Sequence, residues 1–377
     1  VEVWEWRDGN GRIKRDRKPE KVGSFLHDDF IVFAHLSPDG KSVLTGGQGP
    51  DNSDGLVWQF ETGETRGTDD AMRVGNSNNS NTLSGAWSPD GRRVATAGTD
   101  TSVWQIDEVA TDGQSTPPVS NRTRPHKASI KTIRFSPDGQ LVVSASHDGT
   151  AQVWDAGSGE ALGKRLSHDD VVSIAEFSPD GQQVLTSSFD GTVRLWDTGT
   201  GEPLLPPLEH PARVEEAHFS PDGHLVISDC EDNRYRIWNA NTGDLLDTRV
   251  GTARETMGTM GQGRIVDEGR KVLIRGGGRS YGGFRVWPLL RSRALHQMFR
   301  HLPMTAWEHP GKILAADFHP VDSQLVSVSR ESNARLWDHE SGKLLQLVPT
   351  RTQSRKQTVS FSPDGDRLLV TTSDYGL

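Results

Sequence analysis

The chain has 377 residues, a formal net charge of −9 and one cysteine, and 33% of its residues are hydrophobic. This acidic balance excludes the overall electrostatic footprint of a nucleic-acid-binding protein. No apolar run approaches the roughly 18 residues of a membrane-spanning helix, which predicts a protein that does not enter a membrane. The single cysteine, Cys230, excludes an intrachain disulfide framework and favours a reducing compartment. With 11 Trp and 40 Gly, the composition predicts many short, turn-rich strands.

In chain order, the first predicted element is a strand over residues 1–6 (VEVWEW), which carries Trp4. The next segment, residues 11–21 (GRIKRDRKPEK), is strongly basic although the protein is acidic. A solvated outer strand explains this charge, and the binding of nucleic acid or of an acidic protein tail is the alternative.

The tetrapeptide Ser-Pro-Asp-Gly then recurs along the chain and predicts a hairpin corner at each copy. Proline presets φ, aspartate caps its own turn, and glycine supplies the positive φ that returns the chain antiparallel. The flanking residues alternate between polar and apolar, as half-buried strands do. Intact copies begin at Ser37, Ser88, Ser136, Ser178, Ser220 and Ser362, and two diverged copies begin at Val266 and His319. The chain therefore contains eight repeat units.

Polar residues recur at fixed distances from these corners. Five histidines each precede a corner proline by 11 residues and a Ser or Thr by 18: His27, His126, His168, His210 and His309. In three units an Asp follows the Ser or Thr by four residues, and a Trp follows that Asp by six. The three sets are His126, Ser144, Asp148 and Trp154; His168, Thr186, Asp190 and Trp196; and His210, Ser228, Asp232 and Trp238.

A unit of about 42 to 53 residues with four short strands and a terminal Trp-Asp resembles the WD-repeat (WD40) family. In that family each repeat forms one four-stranded antiparallel blade of a β-propeller. The resemblance extends over essentially the whole chain and implies an all-β fold in a single domain, residues 1–377. The "SPDG" corners and the segment "GEPLLPPLEHP" (201–211) are similar to bacterial multi-repeat members of the family.

The three polar sets admit two interpretations. A hydroxyl, an imidazole and a carboxylate could form a nucleophilic triad, but such a triad is a single assembly that exposes its hydroxyl in a cleft. Three copies argue against this interpretation. The resemblance implies a structural tetrad in each unit, in which Trp N–H, hydroxyl, imidazole and carboxylate hydrogen-bond in series.

Some units depart from the pattern. Glu331 stands where the fifth histidine unit should carry its aspartate. Counting six residues from Asp54 reaches Phe60, and counting six from Asp100 reaches Ile106. These two units are therefore predicted to keep the packing of the tryptophan and to lose its indole donor.

The chain ends are complementary. Residues 1–6 supply a third strand, whereas the C-terminal "VSFSPDGDRLLVTTSDYGL" supplies the first two strands of a unit. This predicts an eight-bladed ring in which the two termini share one blade. The alternative is a slice of a longer array, such as a seven-bladed ring or tandem rings.

An insertion at residues 289–304 (LLRSRALHQMFRHLPM) places apolar residues at helical spacing among arginines. It predicts a short basic amphipathic helix. Packing on the rim of the fold is one interpretation, and docking of an acidic partner is the other.

The resemblance and the absence of a unique reactive constellation together predict a non-catalytic scaffold for protein partners, with no cofactor, metal or catalytic residue. The family implies a cytoplasmic signalling or regulatory context and a fused signalling module outside this chain. Family geometry also predicts which residues face partners at the top surface. They are Ser129, Lys131, His147, Val171, Ser173, Phe189, Arg213, Glu215, Glu231, Lys312 and Arg330.

Two other functions are kept as alternatives. One is a hydrolase or lactonase that uses the central funnel, with Glu231, Arg330 and His147 as its starting set. The other is nucleic-acid binding through residues 11–21 and 289–304, whose affinity would fall steeply with salt.

Overall fold

The computed structural model describes residues 1–5, 20–25, 30–48, 55–59, 64–66, 71–74, 83–98, 101–106, 126–250, 263–266, 271–277, 282–288, 305–309, 313–319, 324–329, 333–338, 341–349, 357–362 and 364–372. Within these ranges every regular element is a β-strand, which confirms the predicted all-β class. The predicted helix at 289–304 and residues 11–19 of the basic run lie outside them.

The first half of the chain contributes β1 (Glu2–Glu5), β2 (Glu20–Phe25), β3 (Phe30–Leu36), β4 (Ser42–Gln48), β5 (Gly55–Gln59), β6 (Glu64–Arg66), β7 (Met72–Val74), β8 (Ser84–Trp87), β9 (Arg93–Ala97), β10 (Thr101–Gln105), β11 (Ile130–Phe135), β12 (Leu141–Ser146), β13 (Thr150–Asp155), β14 (Ala161–Ser167), β15 (Val172–Phe177), β16 (Gln183–Ser188) and β17 (Thr192–Asp197).

The second half contributes β18 (Leu208–Glu209), β19 (Val214–Phe219), β20 (Leu225–Cys230), β21 (Arg234–Asn239), β22 (Leu245–Val250), β23 (Gly263–Val266), β24 (Lys271–Gly277), β25 (Gly282–Pro288), β26 (Thr305–His309), β27 (Ile313–Phe318), β28 (Gln324–Ser329), β29 (Asn333–Asp338), β30 (Leu344–Pro349), β31 (Gln357–Phe361) and β32 (Arg367–Thr372).

The chain forms two compact units. The first comprises residues 1–98, 102–121 and 310–377, and the second comprises 99–101 and 122–309. Within the described residues the second unit holds four antiparallel sheets of four strands each: β11–β14, β15–β18, β19–β22 and β23–β26. The first unit holds β27–β30, a sheet of β3, β4, β5 and β7, a three-stranded sheet of β8–β10, and a sheet built from both chain ends.

The sheet built from both ends has the order β31-β32-β1-β2-β6. β1 pairs antiparallel with β32, so that Val3 lies opposite Leu369, and it also pairs antiparallel with β2. The N-terminal strand β1 is thus the third strand of this sheet, and the C-terminal strands β31 and β32 are its first two, as the sequence predicts. The short β6 differs from the prediction because it adds to β2 as a parallel fifth strand.

The Ser-Pro-Asp-Gly corners join the first two strands of their units. At Ser178 the hydroxyl donates to Asp180 Oδ1 at 2.6 Å and accepts from the Gln183 amide at 2.9 Å. Gly181 has φ +73°, a conformation that side chains disfavour. The same hydroxyl-to-carboxylate contact recurs at Ser37, Ser88, Ser136, Ser220 and Ser362.

The hydrophobic core of each compact unit lies between successive sheets. In the second unit Val143 and Val153 of one sheet pack with Phe177 and Trp196 of the next. The following pair of sheets repeats this arrangement around Leu195 and Trp238. Because each sheet buries its face against a neighbour, the loops that connect the strands are left at the sheet ends, where side chains can meet other molecules.

Candidate protein-interaction surface

The first polar set forms a continuous hydrogen-bonded chain between loop and sheet. Trp154 Nε1 donates to Ser144 Oγ at 3.0 Å, and Ser144 Oγ lies 2.8 Å from His126 Nε2. His126 Nδ1 lies 3.2 Å from Asp148 Oδ2. The carboxylate can only accept, so the imidazole donates from Nδ1 and its Nε2 accepts from the serine hydroxyl. This chain fastens the loop that carries His126 to the turn between β12 and β13.

The second set has the same arrangement with shorter distances. Trp196 Nε1 donates to Thr186 Oγ1 at 2.8 Å, His168 Nε2 lies 2.7 Å from that hydroxyl, and His168 Nδ1 lies 2.9 Å from Asp190 Oδ2. Burial of Asp190 opposes its ionisation, but hydrogen bonds from His168 and Thr192 hold the pKa of its carboxyl well below the usual range. Thr192 is not part of the repeating pattern that predicted the tetrad.

The hydroxyls of these two sets are inaccessible to a substrate. Ser144 and Thr186 are both fully buried, with 0% of their surface exposed. Each hydroxyl is also already engaged by a tryptophan and a histidine. A nucleophilic triad needs an exposed hydroxyl, so neither set has the geometry of a reaction centre.

The third set differs from the predicted tetrad. Trp238 Nε1 and His210 Nε2 both contact Ser228 Oγ, at 3.0 and 2.7 Å. His210 Nδ1, however, contacts the backbone oxygen of Leu208 at 2.8 Å instead of Asp232. Asp232 is held by the guanidinium of Arg236, whose Nη1 donates to Oδ1 at 3.1 Å. The His210–Asp232 contact was therefore wrongly predicted, because an arginine on β21 competes for the carboxylate with two donors.

The prediction that two sequence repeats in the first compact unit lose their indole donor is also wrong. Trp58 Nε1 donates to Thr45 Oγ1 and Trp104 Nε1 donates to Thr96 Oγ1, both at 2.8 Å. Trp58 lies opposite Val43, two residues before the threonine, which is the register that other sheets show. Trp58, and not Phe60, is therefore equivalent to the tryptophans of the other sheets. The strand register decides which residue carries the indole, and the number of residues after the aspartate does not. Counting failed because the loops differ in length.

The fifth histidine unit is described only in part. Trp337 Nε1 donates to Ser327 Oγ at 2.8 Å, which retains the indole contact. His27, Glu331, Lys312 and Arg330 lie outside the described residues.

The predicted surface residues of the second unit differ in their exposure. His147, Arg213 and Glu231 are exposed, and Ser129, Lys131, Val171, Phe189 and Glu215 are half-buried. Ser173 contradicts the prediction because it is completely buried. Its hydroxyl contacts Ser187 Oγ at 2.8 Å and donates to the Val214 oxygen of the next sheet at 3.0 Å, so it joins two sheets instead of facing a partner.

Phe189 brings together residues of three successive sheets in the second unit. It lies in the turn between β16 and β17, and its amide donates to the Val171 oxygen at 2.9 Å. Lys131 Nζ, on β11, lies 4.7 Å from the centroid of its ring. The guanidinium carbon of Arg213, just before β19, lies 5.2 Å from the same centroid. Both distances are within the range of cation–π attraction, which fixes the two cations around one aromatic ring.

A second cluster joins β15 to β19. Glu176 Oε1 accepts from the amide of Phe219 at 2.7 Å, and Glu176 Oε2 lies 2.9 Å from His218 Nδ1. Glu216 Oε2 lies 3.7 Å from His218 Nε2. Sequence reasoning missed this cluster, although Glu176 and His218 occupy the same position of successive units, eight residues after His168 and His210. Opposite charges at one repeat position were the signal that could have revealed it.

This cluster should make stability depend on pH. Burial opposes the charge of His218, but the attraction of Glu176 and the hydrogen bonds of both glutamates raise its pKa to about 9. Because the folded protein binds this proton more tightly than the unfolded chain, protonated His218 stabilises the fold. This stabilisation is complete below the unfolded pKa of about 6.5 and is lost as pH rises through the folded pKa of about 9. We expect the free energy of unfolding to fall by about 1 to 2 kcal/mol between pH 6.5 and 9.5 and to lose this slope in His218→Gln. Denaturant unfolding across this range measures it, and the exposed His224→Gln is the matched control. A slope that persists in His218→Gln would contradict the assignment.

The described residues have little else that indicates chemistry. They contain no group of three or more His, Cys, Asp or Glu side chains that could hold a metal ion. No helix among them is long and apolar enough to cross a membrane. Cys230 is a buried free thiol whose pKa is raised by burial, so it lacks the features of a reactive cysteine.

Successive four-stranded antiparallel sheets define a repeat protein with a β-propeller-like all-β fold, and in four of them the indole of Trp154, Trp196, Trp238 or Trp337 donates to a buried hydroxyl. The family model described as "WD domain, G-beta repeat" matches residues 119–155, 160–197, 204–239 and 303–338. The chain therefore carries four WD40 repeats between residues 119 and 338. A comparison with curated proteins finds no match.

Proposed function

We propose that the chain is a non-catalytic scaffold that binds other proteins, and that the residues around Phe189 form its docking surface. WD40 repeats generally mediate protein–protein interactions. The observation that carries the proposal is the half-buried Phe189 between Lys131 and the exposed Arg213. Aromatic and arginine side chains are the residue types that dominate binding energy at protein interfaces.

Replacing Phe189 by alanine together with Arg213→Glu should lower the affinity for a specific protein partner by at least about tenfold. The double variant should unfold like the parent protein, because neither side chain belongs to the buried core. The experiment is capture of proteins from the cells of origin, followed by affinity measurement with each purified candidate. Leu204→Ala with Arg92→Glu, at two exposed sites, is the control pair. Unchanged affinity in the Phe189 variant would place the docking surface elsewhere.

We further propose that the eight sheets found among the described residues are the eight blades of a single propeller domain, with the sheet of β31, β32, β1 and β2 as the shared blade. The pairing of β1 with β32 supports this arrangement, because one sheet combines both chain ends. A particle with eight blades around one axis in electron microscopy would support the proposal, and a seven-bladed or open particle would overturn it.

The setting that we propose is a cytoplasmic regulatory or signalling protein of a bacterium, with a further signalling module attached. The buried free Cys230 fits a reducing compartment. The recurrent Ser-Pro-Asp-Gly corners support the bacterial setting through the family resemblance. The intact mass of the native gene product, measured in its own cells, tests the attached module. A mass equal to that of these 377 residues would rule it out.

We prefer the scaffold over a propeller hydrolase. Burial removes the hydroxyls of Ser144 and Thr186 as nucleophiles, so a hydrolase would have to depend on the starting set of Glu231, Arg330 and His147. Turnover of esterase, lactonase or peptidase substrates that disappears in Glu231→Gln would overturn this preference.

A further inference from the structure

We propose, on the basis of the docking surface just proposed, that Lys131, Phe189 and Arg213 recognise an acidic peptide segment in which a carboxylate lies beside an apolar residue. Two cations and one aromatic ring, supplied by three successive sheets, form this cluster. The fold and not one flexible loop therefore holds the cluster together.

The two cations are available to an anion. Both cations contact the Phe189 ring, and in the described part of the chain no salt bridge joins Lys131 or Arg213 to a carboxylate. Placing two positive charges around one ring is repulsive, and an anion bound to both would relieve that repulsion. A carboxylate that bridges them would form charge-assisted hydrogen bonds, which are stronger than neutral ones.

The surroundings of Lys131 favour the same ligand. Burial lowers its pKa, although Glu215 and Glu216 attract the charge. The ammonium group is therefore already partly desolvated in the free protein, so peptide binding needs to remove little further water from it. A carboxylate of the peptide adds a negative charge beside the ammonium group. The ring of Phe189 and the half-buried Val171 provide adjacent apolar surface.

The charges around Phe189 limit the kind of acidic segment that fits. Glu231 is exposed, and its amide donates to the Arg213 oxygen at 2.8 Å, so its backbone lies beside the arginine. Glu215 is close enough to influence Lys131. Lys131 and Arg213 supply two positive charges to the cluster, which balance one or two carboxylates and not a run of consecutive acidic residues. We therefore expect one or two carboxylates flanked by apolar residues, and not a polyacidic tail or a nucleic-acid backbone.

A displayed library of random 12-residue peptides tests the inference without a chosen partner. The parent protein should enrich peptides with Asp or Glu next to an apolar residue. For a synthetic peptide from that pool, replacement of Asp by Asn should weaken binding by about tenfold or more, and raised salt should weaken it further. Lys131→Gln and Arg213→Gln should each bind the Asp and Asn peptides with nearly equal affinity. Arg92→Gln, at an exposed site in the other unit, should behave like the parent.

The outcomes separate this inference from the proposed function. Enriched peptides that lack acidic residues but lose affinity in Phe189→Ala would overturn the inference and leave the docking surface supported. Peptides unaffected by Phe189→Ala, or no enrichment at all, would overturn both. Binding of a single-stranded oligonucleotide that abolishes peptide binding and is lost in Arg213→Gln would also overturn the acidic-peptide assignment.

Discussion

Val3→Asp is expected to destabilise the first compact unit by about 3 to 5 kcal/mol, because it buries an unpaired charge in the core. Val3 is completely buried on β1 and packs in one cluster with Val43, Trp58 and Leu369. The cluster contains residues from both ends of the chain. A charge at this position should therefore weaken the pairing of β1 with β32.

Denaturant unfolding of the full chain, combined with hydrogen exchange over residues 367–372, measures this effect. Loss of exchange protection in β32 should accompany the lower unfolding free energy. Val32→Asp is the matched control, because the same substitution is made at a valine that is 38% exposed on β3. A Val3→Asp variant with the stability of Val32→Asp would show that β1 does not belong to the core of this sheet.

The shared sheet lacks the tryptophan–hydroxyl contact that Trp58, Trp154, Trp196, Trp238 and Trp337 make in their own sheets. Trp4 lies opposite Leu368, so the position of the hydrogen-bonding hydroxyl falls on Val370. The Trp4 indole nitrogen is buried and finds no hydrogen-bond partner in the part of the chain that the structure describes. Apolar packing therefore replaces the tryptophan–hydroxyl contact in the one sheet that depends on residues from both termini.

Local patterns in the sequence were sufficient to predict most of the strands. The Ser-Pro-Asp-Gly corners specify their own turn through hydroxyl, carboxylate and glycine, and they predicted where β15 and β16 meet around Ser178. The tryptophan–hydroxyl contacts follow from strand register. Trp58 and Trp104 were missed because their loops differ in length, and the sequence does not show where a loop ends and a strand resumes.

Contacts between repeats were harder to predict than contacts within them. The Arg236 guanidinium, and not His210, hydrogen-bonds the Asp232 carboxylate. Which of the two donors binds the carboxylate depends on their distances from it in the folded chain, and residue types alone do not show those distances. His210 is left without a carboxylate, and burial followed by the charge of Arg236 lowers its pKa to about 4. Similar sequences thus give neighbouring sheets different electrostatics. The cations around Phe189 were all among the predicted surface residues, but their common ring contact became visible only in three dimensions.

Asp190→Ala is expected to lower the free energy of unfolding by about 1 to 3 kcal/mol. The Asp190 carboxylate contacts His168 Nδ1 at 2.9 Å and accepts from the Thr192 hydroxyl at 2.7 Å and the Thr192 amide at 2.8 Å. The His168 side chain is completely buried. Removing the carboxylate leaves a buried imidazole donor without its principal acceptor, and the loop that carries His168 loses its attachment to the turn between β16 and β17.

Equilibrium unfolding at neutral pH provides the first measurement, with Asp169→Ala as the control at an exposed neighbouring aspartate. Equilibrium unfolding at acidic pH provides the second measurement. The depressed pKa of Asp190 contributes stability that is present above the unfolded value of about 3.8 and is lost as pH falls through the folded value. The difference between the parent and Asp190→Ala should therefore narrow below pH 4. A variant within about 0.5 kcal/mol of the parent at neutral pH would show that packing, and not this hydrogen-bonded chain, holds the loop in place.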